Sequence, residues 1–485
     1  MAKKTAIIDL GSNGIRMAIY EKTSRYGFYI LNEQKVKFRL AQGAYEQDNV
    51  LVEKQIKKAY EIIKYFKTQA LNFKCNKIFC IGTSALRDAK NKADLINLLK
   101  KDLKLNIKTL SGMEEAYLSG FGAINLLPKL DEKSICLDIG GGSAELCLCE
   151  NTKVVKTFSL DLGTVRLKDL FKDKFNKLEK YIDNYLEQIP DDFKASILIT
   201  IGGSLRAISN AIMEKNNYPL NQVHAFSYQV DEESEFIEKI INCKNSELSS
   251  LGIKKERHDT IKMGALVFYK IIKKLKIKQI ITSGAGVREG IFLKDLFKHH
   301  KGFPANFNPS LKSLEDRLIK YKSGSLVSNV TRLFNTLNEI HYVDKKYLKH
   351  LTYAAKLIET GLLLSYYSNH KHSAYCVLSG LNFCIKHEDK ALIATIIEQH
   401  GKKINYENLK LKKLLPDENT ISWLNFILAF CNALNKAKEN EICDFSYKNK
   451  TLYITKNTNN FIMQEAIKKI SKPKSFNVYI NNEEI

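Results

Sequence analysis

A short buried strand, an aspartate, a glycine-rich turn and a second strand occur twice in this chain, once from residue 5 (TAIIDLGSNG) and once from residue 134 (SICLDIGGGS). The repeat predicts a duplicated α/β lobe with a cleft between the copies, because each sheet must be covered by its own packing layer. Two more buried strands end in glycine loops, ILITIGGS at 197–204 and QIITSGAG at 279–286. Glycine lets the backbone approach a ligand and turn its N–H groups inward, and such amide nests bind phosphate oxygens. A single loop of this kind reads more readily as a hairpin turn. Four at strand ends, two of them introduced by aspartate, point to phosphate.

The remaining pattern sets the domains. At 485 residues the chain is too long for one core, and 44% hydrophobic residues supply several. The helical spacing of Ile56, Ala59, Ile62, Ile63 and Phe66 and a further helix from about Glu114 to Leu126 complete a first lobe over 1–126. A second lobe covers 127–302. The segment FPANFNP (303–308 and the following proline) reads as a linker. Beyond it lies a mostly helical region from about Ser310 to Lys438, assigned to a domain over 303–443. A small strand–helix–strand appendage is expected over 444–485.

Charge narrows the partners. Lys+Arg 76 against Asp+Glu 53 gives a net charge of +23, a surface that concentrates polyanions. A Lys-, Asn- and Ile-rich composition accounts for part of that excess. No aromatic-interleaved recognition motif supports specific nucleic-acid binding. No apolar run reaches the roughly 18 residues that span a bilayer, so no membrane partner is expected. The chain opens straight into a strand, without a secretory signal, and its ten cysteines contain no C-x-x-C pair. A cytoplasmic protein with buried free thiols is the expectation.

Individual residues carry the chemistry. Asp138 ends one strand and Glu145 begins the next, with Gly140, Gly141 and Gly142 turning between them. Two carboxylates at one end of a cleft suit Mg²⁺, which keeps waters and substrate phosphates as its other ligands; Glu145 capping the turn is the competing structural role. Ser111 followed by Glu114 has capping-box spacing. Glu115 then sits in the first helical turn, and on spacing alone it reads as a solvated helix-start acid, although a carboxylate beside phosphate can also serve as general base. Arg16 and Arg87 follow tight turns and match phosphate geometry, with surface ion pairs as the alternative.

Together, DLGSNGIRM (9–17), GTSALRDA (82–89), SGMEEA (111–116), DIGGGSAEL (138–146), LDLGTVRL (160–167), IGGSLRAIS (201–209) and SGAGVREG (283–290) resemble, in order, the motifs of the Ppx/GppA phosphatase family. The resemblance implies duplicated actin-like (ribonuclease H-like) ATPase-type lobes plus a helical, HD-like C-terminal domain, which SNHKHSAYCVLSG (368–380) resembles. It implies hydrolysis of terminal phosphoanhydride bonds in inorganic polyphosphate or pppGpp, with Mg²⁺ as cofactor and a homodimer as the assembly. By position, Glu115 corresponds to the base that activates water, and Asp138 and Glu145 to the acids that hold Mg²⁺. Gly11, Ser12, Asn13 and Arg16 correspond to the first phosphate loop, Gly140, Gly141, Gly142 and Ser143 to the second, and Arg87 to a basic group near the terminal phosphate.

Two departures stand out. The family's first loop usually reads G-S-N-S, and here Gly14 replaces the serine, which implies weaker affinity. The stretch matching the HD metal pair is Leu357-Ile358-Glu359-Thr360-Gly361, without a histidine, so the domain is expected to bind substrate and support a dimer rather than hold a second metal. His370, His372 and His400 read as packed or hydrogen-bonded. Two other functions remain open: a non-catalytic polyphosphate or (p)ppGpp sensor, and a kinase or ATPase on the same scaffold.

Overall fold

The computed structural model describes residues 3–42, 44, 48–171, 175–320, 324–436, 440–458 and 460–485. The chain divides into two units, residues 1–307 and 308–485.

The first unit holds two sheets built on one plan. Strands β1 (Lys4–Gly11), β2 (Gly14–Lys22) and β3 (Phe28–Val36) form an antiparallel meander. Strands β4 (Lys77–Gly82) and β5 (Ile107–Thr109) extend it in parallel, giving the order β3-β2-β1-β4-β5. In the second sheet β6 (Ser134–Ile139), β7 (Ala144–Glu150) and β8 (Lys153–Leu160) repeat the meander. Strand β9 (Ile197–Ile201) lies parallel to β6. Strand β10 (Ser227–Gln229) pairs antiparallel with β11 (Gln279–Thr282), which is itself parallel to β9, for the order β10-β11-β9-β6-β7-β8. Reading β6, β7, β8, β9 and β11 for β1 to β5 gives the same order twice. The weak sequence repeat is therefore a full topological duplication. The first strand of each sheet is central and almost wholly apolar (Ala6, Ile7, Ile8 and Leu10 in one, Ile135, Leu137 and Ile139 in the other), as a strand covered on both faces must be.

Two helices bind the sheets together. The Gly112–Leu126 helix follows β5, yet its Ala123 and Ile124 pack with Cys136, Cys147 and Ile199 of the second sheet. The Val287–Leu296 helix follows β11, yet Phe292 stacks on Tyr20 of the first sheet at 4.5 Å, and Tyr20 Oη donates to Glu289. The two helices touch backbone to backbone at Gly122 and Gly290, where a Cβ would lie 2.3 Å from the Gly286 carbonyl oxygen and 2.0 Å from that of Leu118. A boundary at residue 126 thus assigns to the first lobe a helix whose C-terminal half belongs to the core of the second.

The second unit is helical from Pro309–Leu318 to Glu418–Leu434; the expected helical limit at Lys438 lies outside the described residues. Its C-terminal strands β12 (Asp444–Lys448), β13 (Thr451–Thr455), β14 (Asn477–Ile480) and β15 (Glu483–Glu484) form one sheet in that order. They are not a separate appendage: Leu452, Ile454, Val478 and Ile480 share one core with Trp423, Phe426 and Phe430 of the last long helix. So short a segment has too little surface to bury alone. Among the described residues no helix is long and apolar enough to cross a membrane. All ten cysteines are free; Cys75, Cys243, Cys376 and Cys384 are only partly buried, contrary to the expectation for the set.

Candidate active site

The four glycine loops converge on one cleft in the first unit. Gly11, Ser12, Asn13, Gly14 and Arg16 line it from one side, and Gly140, Gly141, Gly142 and Ser143 from the other. The two nests face each other directly: a Cβ on Gly141 would lie 2.8 Å from Ser12 Cβ and 3.4 Å from Asn13 N. The third and fourth loops add Gly202, Gly203, Ser204 and Gly286.

Glu115 reaches this cleft because of its helix start. Ser111 Oγ accepts from Glu114 N at 3.2 Å, and the Glu114 carboxylate accepts from Ser111 N at 3.0 Å. That capping box turns Glu114 outward to Lys108, 2.7 Å away. The next residue lies about 100° further round the helix and points inward. Glu115 is 12% exposed, accepts from Arg87 Nη1 at 2.9 Å, and lines the cleft. The solvated helix-start reading is thereby replaced. Burial pushes its carboxyl up to about 8 against the opposing pull of Arg87, and the charge of Asp138 adds to the rise.

Three further acids stand nearby. Asp138 and Glu145 are direct cross-strand partners in the β6–β7 hairpin. Asp138 lines the cleft and accepts from Ser119 Oγ at 2.8 Å. Glu145 lies behind the cleft wall, 2% exposed, with Ser159 Oγ 3.3 Å from one carboxylate oxygen. Asp9, at the end of β1, lines the cleft beside Asp138. Burial is the first cause holding all three carboxyls above the ordinary range; for Glu145 the charges of Glu115 and Asp138 add to it. One oxygen each of Asp9 and Glu145 is buried without a hydrogen-bond partner. Asp9 and Asp138, hard oxygen donors in the cleft, fit a divalent cation such as Mg²⁺; Glu145, expected to hold it with Asp138, instead lies outside the cleft lining.

Basic groups line the same cleft. Arg16, Arg206, Arg257 and Arg288 all face it. Burial, then the charge of Arg16, lowers both Arg206, to about 10, and Arg257. Guanidinium groups crowded so closely are relieved by a bound anion. Arg87 stands behind Glu115 and also donates to Ser143 Oγ at 3.2 Å, bridging Glu115 and the second loop rather than lining the cleft.

Sequence reasoning left out Asp9, Arg206, Arg257 and Arg288. Three had a signal: Asp9 introduces its loop as Asp138 does, and Arg206 and Arg288 follow glycine loops (GGSLR, GAGVR) as Arg16 follows GSNGIR. Arg257 has no local signal. Two ties between the lobes were also unread. Arg39 Nε donates to Asn13 Oδ1 at 3.2 Å and its guanidinium pairs with Asp259. Arg166 Nε donates to the Gly142 carbonyl at 2.7 Å and pairs with Asp88, which neighbours Arg87. In the second unit, His400 Nδ1 is 2.7 Å from the Ile397 carbonyl and His370 Nε2 is 3.1 Å from Lys402 Nζ.

Duplicated lobes of this topology, with facing amide nests and a flanking acid, define a two-lobed α/β protein whose cleft suits phosphate. More narrowly, the chain belongs to the Ppx/GppA phosphatase family: the family model matches residues 18–299, and that of Ppx/GppA phosphatase domain III matches 319–471. It is 26% identical over 386 residues to a guanosine-5'-triphosphate,3'-diphosphate pyrophosphatase of Pseudoalteromonas translucida, covering 76% of this chain and 75% of the relative. A protein of the same name from Aeromonas hydrophila is 24% identical over 381 residues, covering 77% and 75%. Among solved structures, the Aquifex aeolicus family member superposes with a TM-score of 0.54 at 21% identity, covering 62% of this chain and 99% of that one. An exopolyphosphatase from Cytophaga hutchinsonii gives 0.56 at 21% identity, with the same coverage.

Proposed function

We propose that this protein hydrolyses the terminal phosphoanhydride bond of inorganic polyphosphate, pppGpp or both, releasing orthophosphate. The observation that carries the reading is the opposition within one cleft of four arginines and a cluster of buried carboxylates, with two amide nests between them. That arrangement suits a polyanion bound together with a metal, and family membership supports it.

Phosphoryl transfer to water depends mainly on positioning and on neutralising charge. The amides of the Gly11–Gly14 and Gly140–Ser143 loops hold the terminal phosphoryl oxygens, while Arg16, Arg206, Arg257 and Arg288 neutralise the next phosphates. Glu115 takes the proton of the attacking water as its oxygen bonds to the terminal phosphorus. The bridging oxygen leaves with the electron pair of the broken P–O bond. Asp138, with Asp9 beside it in the cleft, would hold Mg²⁺, which would supply charge neutralisation at the phosphate oxygens; Glu145, behind the wall, adds negative charge to the site. Arg87 orients Glu115 and keeps its carboxyl from rising further.

The test is orthophosphate release from polyphosphate and from pppGpp, side by side, with Mg²⁺ and with the metal chelated. Metal-dependent release from at least one substrate is expected. Tight binding of both without turnover would leave a sensor in place of an enzyme.

A further inference from the structure

Behind the acidic pair, on the same face of the second sheet, lie three cysteines that the proposed hydrolysis does not use. Cys136 on β6 and Cys147 on β7 are direct cross-strand partners, and Cys149 follows two residues along β7, so all three side chains leave the same face. None is more than 1% exposed. The sulfurs of Cys136 and Cys149 are 3.7 Å apart, as are those of Cys147 and Cys149, and all three lie within 4.8 Å of one another. Among the described residues this is the one group of three or more His, Cys, Asp or Glu side chains whose ligand atoms come so close.

The triangle has the dimensions of a metal site. An ion about 2.3 Å from each of three sulfurs sets those sulfurs about 4 Å apart. Apolar walls come from Ala123, Ile124, Ile199 and Ile201, and buried Ser134, the cross-strand partner of Cys149, puts a hard hydroxyl on the same face. The Gly112–Leu126 helix closes the top: a Cβ on Gly120 would sit 2.0 Å from Cys147 Sγ. Zinc at a structural site requires four ligands. Three buried sulfurs among apolar walls suit a soft monovalent ion instead.

We propose that Cys136, Cys147 and Cys149 form a buried binding site for Cu(I). Binding balances as Cu⁺ + 3 RSH → Cu(SR)₂(HSR)⁻ + 2 H⁺: two thiols lose their protons to solvent and become thiolates, and the third donates as a neutral thiol. No electron is transferred. Cys136 precedes Asp138 by two residues and Cys147 follows Glu145 by two. A bound ion therefore clamps the hairpin that presents both acids, directly under the helix that carries Glu115.

Cysteines that merely pack as small apolar side chains would retain no copper, and one experiment separates the two. The full-length chain is refolded anaerobically with Cu(I) bicinchoninate, freed of excess, and its copper counted by mass spectrometry. Wild type is expected to retain one copper per chain, and Cys431→Ala, a buried thiol elsewhere, to retain it too. The triple variant Cys136→Ala, Cys147→Ala, Cys149→Ala is expected to lose it. Because that variant can misfold, copper X-ray absorption on the wild type stands as a second measurement, with three sulfur neighbours and no nitrogen or oxygen expected. Absence of retained copper, equal retention by a folded triple variant, or light-atom ligands would each overturn the site. None of these readouts depends on phosphate release.

Discussion

Replacing Glu115 with glutamine should stabilise the protein while stopping its chemistry. The carboxyl of Glu115 rises from the usual 4.5 to about 8 in the folded chain, because it is buried and faces Asp138. The folded state therefore holds this proton more tightly than the unfolded state. Its stabilising contribution is complete below pH 4.5 and is lost progressively as pH climbs through about 8. The full rise corresponds to a ceiling on the order of 5 kcal/mol. Proton sharing with Asp138 and Glu145 takes up part of that, leaving an expected gain of about 2 kcal/mol at pH 8, or about 4 °C in Tm for a unit of this size. Glutamine keeps an oxygen for Arg87 to donate to, so the 2.9 Å contact survives. The assay is thermal melting of both proteins from pH 5 to pH 9 without divalent cation. The curves should converge near pH 5 and separate towards pH 8. Phosphate release should meanwhile fall by about 10²–10⁴-fold, the usual worth of a general base. A variant less stable than wild type at pH 8, or a gap independent of pH, would refute the buried-carboxylate argument. Unchanged turnover would refute the base.

Arg87→Met removes the cation that opposes the rise at Glu115; the ascending limb of kcat/KM against pH should move to higher pH, and an unmoved limb would remove Arg87 from this role. Arg166→Ala cuts the tie between the Gly142 carbonyl and Asp88. Misplacing the second loop should lower kcat about 10²-fold without unfolding the chain, which circular dichroism checks. Gly14→Ser, which restores the family's usual residue, should cost about 1–3 kcal/mol rather than improve binding, because its Cβ would lie 2.9 Å from the Val36 carbonyl oxygen. A tighter KM with unchanged Tm would contradict that packing. Asp138→Asn should raise the Mg²⁺ concentration needed for half-maximal release, read from a metal titration.

Much of this architecture is written locally. Glycine loops at strand ends depend on residues within a few positions of one another, so both nests, the acids that introduce them and the Ser111–Glu114 cap were legible in the sequence. Glu115 was legible only with the family motif beside it, since a helix-start acid faces solvent as often as a cleft. What stayed hidden is tertiary. Nothing near Arg257 marks it as a cleft residue, because Ile201, Gly286 and Asp138 reach the same space from distant strands. Glu145 shares register with Asp138, yet the Ser159 strand beside it places its carboxylate behind the wall. The C-terminal strands look detached in sequence because their core partners, Trp423 and Phe426, are helical residues some way upstream.

The exchanged helices make the two lobes depend on each other for their cores. An ancestral single lobe would have needed its own helix against its own sheet. Here each half seals part of its apolar face with a segment encoded on the far side of the repeat: Phe292 covers Tyr20, and Ala123 covers Cys147 and Ile199. A polypeptide cut at residue 126 would yield two fragments, each with an open seam that fits only the other. Such fragments should recombine on mixing, and neither should persist as a monomer.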